Sequence, residues 1–323
     1  MKVALVTGSS CGVGKASATE LYQRGWHVYI SGRDAKRCAA AVADIKSESK
    51  KDSAGTLDVL ALDLTDFASV RRAAGKLKQL DVLVLNAGVL YHGSYKGPWR
   101  TKSGHDHLFA ANHLGHFLLC ELLMPALEAS NDGSGGRVVF LSSIAHWVGE
   151  EALFDDSQSL EKESDGEARF RKSYARSKLA NLLHAYELQR RLRAKGSGVT
   201  VTPVAPGLVS TEIFNPKRGD ADAYRHAPPV LQQHAVPPSL GAMTTVHAVL
   251  AEPPVPPMRW CVPYWTPPTY ACLALSTIWE VEKSLELNQR RTWGVHVAKS
   301  SPSSYDAALA QKLWEYSEKA VGL

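Results

Sequence analysis

The first 30 residues limit this chain's fold more than any other stretch. An apolar strand, Lys2 to Val6, runs into Thr7-Gly8-Ser9-Ser10-Cys11-Gly12-Val13-Gly14. Helical periodicity follows from Lys15 to Arg24, Gly25 ends it, and His27 to Ile30 is a second strand. The order strand, turn, helix, strand predicts a βαβ unit, and that context gives the glycines meaning. Gly8, Gly12 and Gly14 permit a tight turn and close approach of the backbone to a ligand. The N-terminus of the next helix offers free N–H groups and the positive end of its dipole, which suits a pyrophosphate.

The end of the second strand bears on which dinucleotide is bound. A carboxylate there would hold the adenosine ribose hydroxyls of NAD. This chain has Ser31-Gly32-Arg33-Asp34. Arg33 can pair with a 2′-phosphate, and Asp34 is placed to cap the next helix. NADP(H) is therefore favoured over NAD(H).

Strand and helix continue to alternate. Residues 35 to 50 read as a helix, Lys50 to Gly55 as a polar loop, and Val59 to Leu62 as a third strand ending in Asp63-Leu64. Thr65 or Asp66 caps the helix after it. Val82 to Leu85 is wholly apolar, as in a parallel sheet covered on both faces, and leads into Asn86-Ala87-Gly88. Ligands bind at the C-terminal ends of such strands, where Asp63 and Asn86 fall. The helix after a loop at 89 to 104 carries Asn112, an amide in apolar surroundings that must be hydrogen-bonded. Arg137 to Leu141 is the fifth strand, ending in Ser142-Ser143, and Val199 to Val204 the sixth. The expected class is α/β, a doubly wound parallel sheet of the Rossmann type.

Between these last two strands, residues 149 to 172 read as a long surface loop. Lys172-Ser173-Tyr174-Ala175-Arg176-Ser177-Lys178 opens a helix, with Ser173 as its cap candidate. Residues four apart share a helix face, so Tyr174 and Lys178 point the same way. A cation beside a phenol stabilises the phenolate and lowers its pKa, giving a proton donor or acceptor near neutral pH.

Past Thr211 the pattern is irregular and proline-rich. Ser239 to Leu250 reads as a helix. The seventh strand is either Trp260 to Trp265 or Trp293 to Val297; the first choice leaves Thr269 to Arg290 as a helical excursion. Residues 306 to 320 form a closing helix. With no repeat and no linker, the expectation is a single domain over 1–323: a core at 1–211, a variable substrate-covering segment at 212–305, and the closing helix.

Composition removes several classes. A net charge of +5 without a dense Lys/Arg block does not call for nucleic acid. The five cysteines are scattered without a Cys-x-x-Cys pair, which predicts free thiols and no zinc site. His113 and His116 have helical spacing for metal, but no third ligand is evident, so core or subunit-contact roles are expected and metal is not. No signal peptide precedes the first strand, giving a cytoplasmic expectation. Trp260 to Trp279 is the nearest approach to a membrane span, but Pro263, Pro267 and Pro268 break it. It suits peripheral membrane contact or a buried apolar lid.

Taken in order, Thr7…Gly14, Asn86-Ala87-Gly88, Asn112, Ser143, Tyr174 with Lys178, and Pro206-Gly207…Thr211 resemble the short-chain dehydrogenase/reductase family over roughly residues 2 to 215. Ala111 to Leu119 and Leu313 to Lys319 resemble its branch of retinol dehydrogenases, WW-domain oxidoreductases and protochlorophyllide reductases. The resemblance implies that Tyr174 is the general acid/base and that Lys178 lowers its pKa and holds the nicotinamide ribose. Ser143 would hydrogen-bond the reacting oxygen, with Ser142 pointing elsewhere. Asn112 would position a water linking Lys178 to solvent. It implies cofactor contacts from Gly8, Ser10, Gly12, Val13, Gly14, Arg33, Asp63, Leu64, Asn86, Ala87, Gly88, Tyr174, Lys178, Pro206, Gly207 and Thr211. It also implies a homodimer through the helices carrying Asn112 and Tyr174.

The resulting expectation is hydride transfer to or from a carbonyl or alcohol on an apolar molecule, retinoid-, steroid- or lipid-aldehyde-like. Trp260, Tyr264, Trp265 and Tyr270 could line its site, or equally be core or a subunit contact. One alternative is light-driven C=C reduction in a pigment. Against it, Ser143 stands where protochlorophyllide reductases usually have Thr, and their cysteine pattern is not evident. The other alternative is a non-catalytic cofactor-binding scaffold or redox sensor, which generally lacks the Tyr or Lys that this chain keeps.

Overall fold

The computed structural model describes residues 1–49, 55–90, 97–149, 166–214, 235–252, 254, 259–263 and 295–323. Its sheet contains β1 (Val3–Val6), β2 (His27–Gly32), β3 (Thr56–Ala61), β4 (Val82–Leu85), β5 (Arg137–Leu141), β6 (Thr200–Val204), β7 (Trp260–Pro263) and β8 (Val295–Ala298). Their spatial order is β3-β2-β1-β4-β5-β6-β7-β8. Pairings through β7 are parallel, and β8 returns antiparallel to β7. The strand order reverses between β1 and β4, and the crevice beyond their C-terminal ends is where this architecture binds ligands.

Alternation along each strand divides the core. Leu5, Leu83, Leu85, Val138 and Phe140 face one layer, and Ala4, Val6, Val82, Val84, Val139 and Leu141 face the other. The second layer is α1 (Gly12–Gln23) and α2 (Ala35–Glu48) with the helix Met243–Leu250. The first is α3 (Phe67–Ala74), α4 (His107–Phe109), α5 (Gly115–Glu128), α6 (Gly166–Ala194) and the closing helix Ala307–Val321.

Several elements differ from the sequence reading. β3 starts at Thr56, ahead of the apolar run; this edge strand leaves Thr56 and Asp58 in solvent, so only part of it looks strand-like. The two candidate seventh strands both form, because they pair with each other from Trp260↔Ala298 to Pro263↔Val295. Residues 166–172, read as loop, are the first turns of α6. Ser173 is therefore inside the helix, and its hydroxyl donates to Asp106 Oδ1 at 2.9 Å. The expectations for Tyr264, Trp265, Tyr270, Cys272 and the 269–290 excursion fall outside the described residues.

The closing helix is capped by Asp306, which accepts from Leu309 N, and ends at Gly322 in the left-handed region. It packs on α5 and α6. Trp314 meets Phe117 edge-on with ring centroids 5.0 Å apart, Arg191 stacks over Trp314 at 4.1 Å, and Ser317 bonds His113 at 2.9 Å. His113 thus contacts the chain's own C-terminal helix. No helix among the described residues is long and apolar enough to cross a membrane.

Candidate active site

At the first strand–helix turn, missing side chains make the shape. Gly8 and Gly12 have φ of 64° and 58°, values that favour glycine. A Cβ on Gly8 would lie 2.8 Å from the Ala87 backbone, and one on Gly14 would lie 2.4 Å from Asn86 Nδ2 and 2.6 Å from the Gly8 carbonyl. Ser9 staples the turn to β2: its N–H donates to Ser31 O, and its Oγ accepts from Ser31 N. No side chain caps α1, and its first turn holds no acidic residue, so its leading N–H groups and dipole are left to an outside anion. Val13 packs into the core, so backbone is what it offers a ligand.

The β4 end is tied to this turn through Thr7. Its Oγ1 accepts from Asn86 N and Ala87 N, both at 2.9 Å, while Asn86 Nδ2 donates to Thr7 O at 2.7 Å. His116 Nε2 lies 2.9 Å from the same hydroxyl, and its Nδ1 faces Asn112 O at 3.2 Å. Both His113 and His116 are held down to about 3, chiefly by burial. They are core groups, and no cluster suited to a metal occurs among the described residues.

Asn112 sits in a π-helical turn, Ala110–Leu114, between α4 and α5. Such wide turns cluster at functional sites. Its Oδ1 accepts from Val89 N at 2.8 Å, and its Nδ2 donates to Val89 O and to Ser177 Oγ. The amide therefore joins the β4 exit to α6. A Cβ on Gly88 would lie 3.5 Å from Lys178 Nζ and 3.7 Å from Asn112 Oδ1, ordinary contact distances that place the β4 exit beside both side chains.

Tyr174 and Lys178 do share a face: Lys178 Nζ lies 5.5 Å from the Tyr174 ring centre. Their acidities are not those the spacing predicts. Burial pushes the Tyr174 phenol up to about 12, against a downward pull from its hydrogen bond with Ser143. Burial also takes Lys178 down to about 8, with Nζ donating to Leu141 O at 3.1 Å. Dehydration thus outweighs any help the ammonium gives a phenolate. Ser143 sits at the end of β5, its Oγ accepting from Ala145 N at 3.2 Å. Ser142 points away, donating to Lys178 O at 2.8 Å.

The remaining predicted residues ring the same strand ends. Arg33 is exposed at the end of β2, and Asp34 caps α2 by accepting from Lys36 N and Arg37 N. Asp63 Oδ1 is engaged by Thr65, through its N–H at 2.9 Å and its hydroxyl at 2.7 Å; Asp66 caps α3. Leu64 is a core side chain, so it could reach a ligand only through its backbone. Ser10 is half-buried beside the turn. After β6, Pro206 leads into Gly207 with φ of 79°. Thr211 then lies against α1, where a Cβ on Gly12 would touch it at 3.3 Å. Sequence reasoning named Thr7 as the start of the glycine signature without its tying role, and missed Ser177 and the Arg37–Glu212 ion pair at 2.7 Å, which holds the β6 exit to α2. Glu212's place next to Thr211 was the one available hint.

A βαβ turn that excludes side chains, an uncapped helix N-terminus, and a phenol, lysine and serine grouped at the neighbouring strand ends define a dinucleotide-dependent oxidoreductase. Residues 2–153 match the family described as short chain dehydrogenase. Over 328 residues the chain is 31% identical to retinol dehydrogenase 13 of Homo sapiens, covering 100% of this chain and 85% of that protein. It is 39% identical over 218 residues to polyprenol dehydrogenase of Homo sapiens, covering 66% and 62% respectively. A crystal structure of an uncharacterized protein from Mycobacterium Paratuberculosis superposes with a TM-score of 0.68 at 28% identity, covering 100% of this chain and 94% of that one. The chain belongs to the short-chain dehydrogenase family and is an oxidoreductase of its retinol-dehydrogenase-like branch. The family's cofactor is a nicotinamide dinucleotide, and the glycine turn fits its pyrophosphate.

Proposed function

We propose that the protein is an NADP(H)-dependent oxidoreductase acting on a carbonyl or alcohol of an apolar small molecule, with Tyr174 as its general acid/base. The observation that carries this reading is the grouping of Tyr174, hydrogen-bonded to Ser143, with the buried Lys178 beside the β4 exit. A bound nicotinamide would supply the hydride. Tyr174 would protonate the oxygen as it becomes alkoxide, and Ser143 would donate a hydrogen bond to the same oxygen. A phenol held near 12 is protonated at neutral pH and so is ready to donate to a forming alkoxide. Lys178 at about 8 stays largely protonated at pH 7 and would hold ribose hydroxyls. Asn112 keeps one lone pair of Oδ1 for a water, its other polar capacity being used by Val89 and Ser177.

The preference for NADP(H) rests on Arg33, exposed where an NAD-binding carboxylate would stand, with Asp34 occupied as a cap. The apolar substrate class draws on the retinol and polyprenol dehydrogenases among its relatives. The test is NADPH and NADH oxidation by purified protein with all-trans-retinal, decanal and phenanthrenequinone. Faster consumption of NADPH with at least one carbonyl is expected. No oxidation across the panel would sink the reading.

A further inference from the structure

His146 lies three residues past Ser143, in a short 3-10 turn, Ile144–Val148, and is 1% exposed. Its Nδ1 is 2.6 Å from the Ser143 carbonyl oxygen, and its Nε2 is 3.1 Å from the Ser301 backbone nitrogen. A backbone N–H can only donate, so Nε2 must carry the lone pair. The proton is then on Nδ1 and is donated to Ser143 O. Burial keeps the ring neutral down to about 4. His146 is a fixed tautomer with one donor and one acceptor, both in use.

Ser301 belongs to a turn that is itself locked to the helix carrying Tyr174. Ser301 O accepts from Ser304 Oγ at 2.6 Å, and Ser304 Oγ is 2.7 Å from Ser300 Oγ. Ser300 Oγ is in turn 2.7 Å from Tyr186 Oη on α6, and Ser300 N donates to Tyr305 Oη at 3.1 Å. The Tyr186 and Tyr305 rings stack with centroids 5.1 Å apart. A hydrogen-bonded route thus runs from the Ser143 carbonyl through His146 and the 300–305 turn to α6. It closes on the elements that carry the two oxygens of the Ser143–Tyr174 pair.

We propose that His146 is a positioning residue, which sets the Ser143 hydroxyl against Tyr174 by tying the β5 exit to the Ser301 turn. This rests on the reading of Ser143 and Tyr174 as the pair that meets the reacting oxygen. Displacing a group in such a pair by a fraction of an ångström slows the chemical step while leaving cofactor binding alone.

The test compares His146→Ala, His146→Gln, His146→Asn and Ser143→Ala by NADPH-dependent reduction of all-trans-retinal. Asn can place an amide N–H where Nδ1–H stood, whereas Gln reaches only towards Ser301. Ala and Gln should lower kcat about tenfold with the KM for NADPH unchanged, and Asn should recover to within about threefold of the parent. Adding His146→Ala to Ser143→Ala should cost nothing further. If Ser143→Ala slows the enzyme and His146→Ala does not, or if Asn and Gln fall together in step with their melting temperatures, the positioning role is wrong. If Ser143→Ala keeps full kcat, the reading of the serine itself fails. ¹⁵N NMR of the histidine rings tests the bridge without turnover: a neutral Nδ1–H form of His146 is expected at pH 7, and an Nε2–H form would overturn it.

Discussion

At the Gly8–Gly14 turn the functional surface is backbone, and its shape depends on side chains that are missing. Around Tyr174 it is side chains, drawn from β5, α6 and the π-helical turn, with acidities set by burial. The turn is one local motif: an added Cβ on Gly8 or Gly14 meets backbone, and one on Gly12 meets the Thr211 side chain. The Tyr174 end is assembled from Asn112, Ser143 and the Tyr174–Lys178 helix face, three segments well separated in sequence. The two ends should therefore respond differently, the turn to added volume and the Tyr174 end to protonation.

Lys178→Met should separate the two ends most strongly. It removes a buried ammonium and leaves Leu141 O without that donor. We expect kcat to fall about 10²-fold or more, against a smaller change in thermal stability. In the parent enzyme, kcat/KM for NADPH should decline as pH rises through about 8, where Lys178 loses its proton. A profile flat from pH 7 to 9.5 would contradict that assignment. Gly14→Ala tests the volume rule. Its Cβ must displace Asn86 and the Gly8 carbonyl, so a cost of about 1–3 kcal/mol and weaker NADPH binding are expected, read by melting and fluorescence titration. An unchanged Tm and Kd would show that the turn has slack.

Arg33→Ala should weaken NADPH about tenfold and leave NADH nearly unchanged, the loss expected for a charge-assisted phosphate contact. Equal effects on both would remove the 2′-phosphate argument. The smallest effect concerns the core beneath Asn112. His184 is buried with both ring nitrogens lacking a hydrogen-bond partner among the described residues, and burial takes it well below 6.5, with His113, His116 and Arg191 adding to the shift. Below about 6.5 the unfolded chain binds protons that the folded ring refuses, so stability is full above that pH and is lost as pH falls. His184→Leu should therefore gain more stability at pH 5 than at pH 7.5, measured by urea midpoints. A gain independent of pH would show that the ring is not the acid-sensitive group.

How much of this is legible in sequence follows the same division. The glycine turn, the alternation of strand and helix, and Asp34 as a cap all depend on neighbours in the chain, and each stands where its local pattern puts it. Ser173 shows the limit. A serine before a helical run looks like a cap, but here the helix begins at Gly166 and the hydroxyl serves Asp106 instead. The spacing of Tyr174 and Lys178 gave the shared face correctly and the acidity wrongly, because a four-residue interval carries no information about dehydration. The strand pair at Trp260 and Val295 looked like alternatives because pairing between distant segments leaves no local trace. The tying roles of Thr7 and His146 leave no such trace either: each acts through partners remote in sequence or through backbone groups.

The most direct test of the central claim is Tyr174→Phe, which removes one oxygen and keeps the ring. Stopped-flow NADPH oxidation with all-trans-retinal, alongside fluorescence titration of NADPH, reads chemistry and binding separately. The account predicts a loss of about 10³-fold in the hydride-transfer rate with Kd for NADPH within about twofold of the parent. Turnover retained at the parent rate would contradict it.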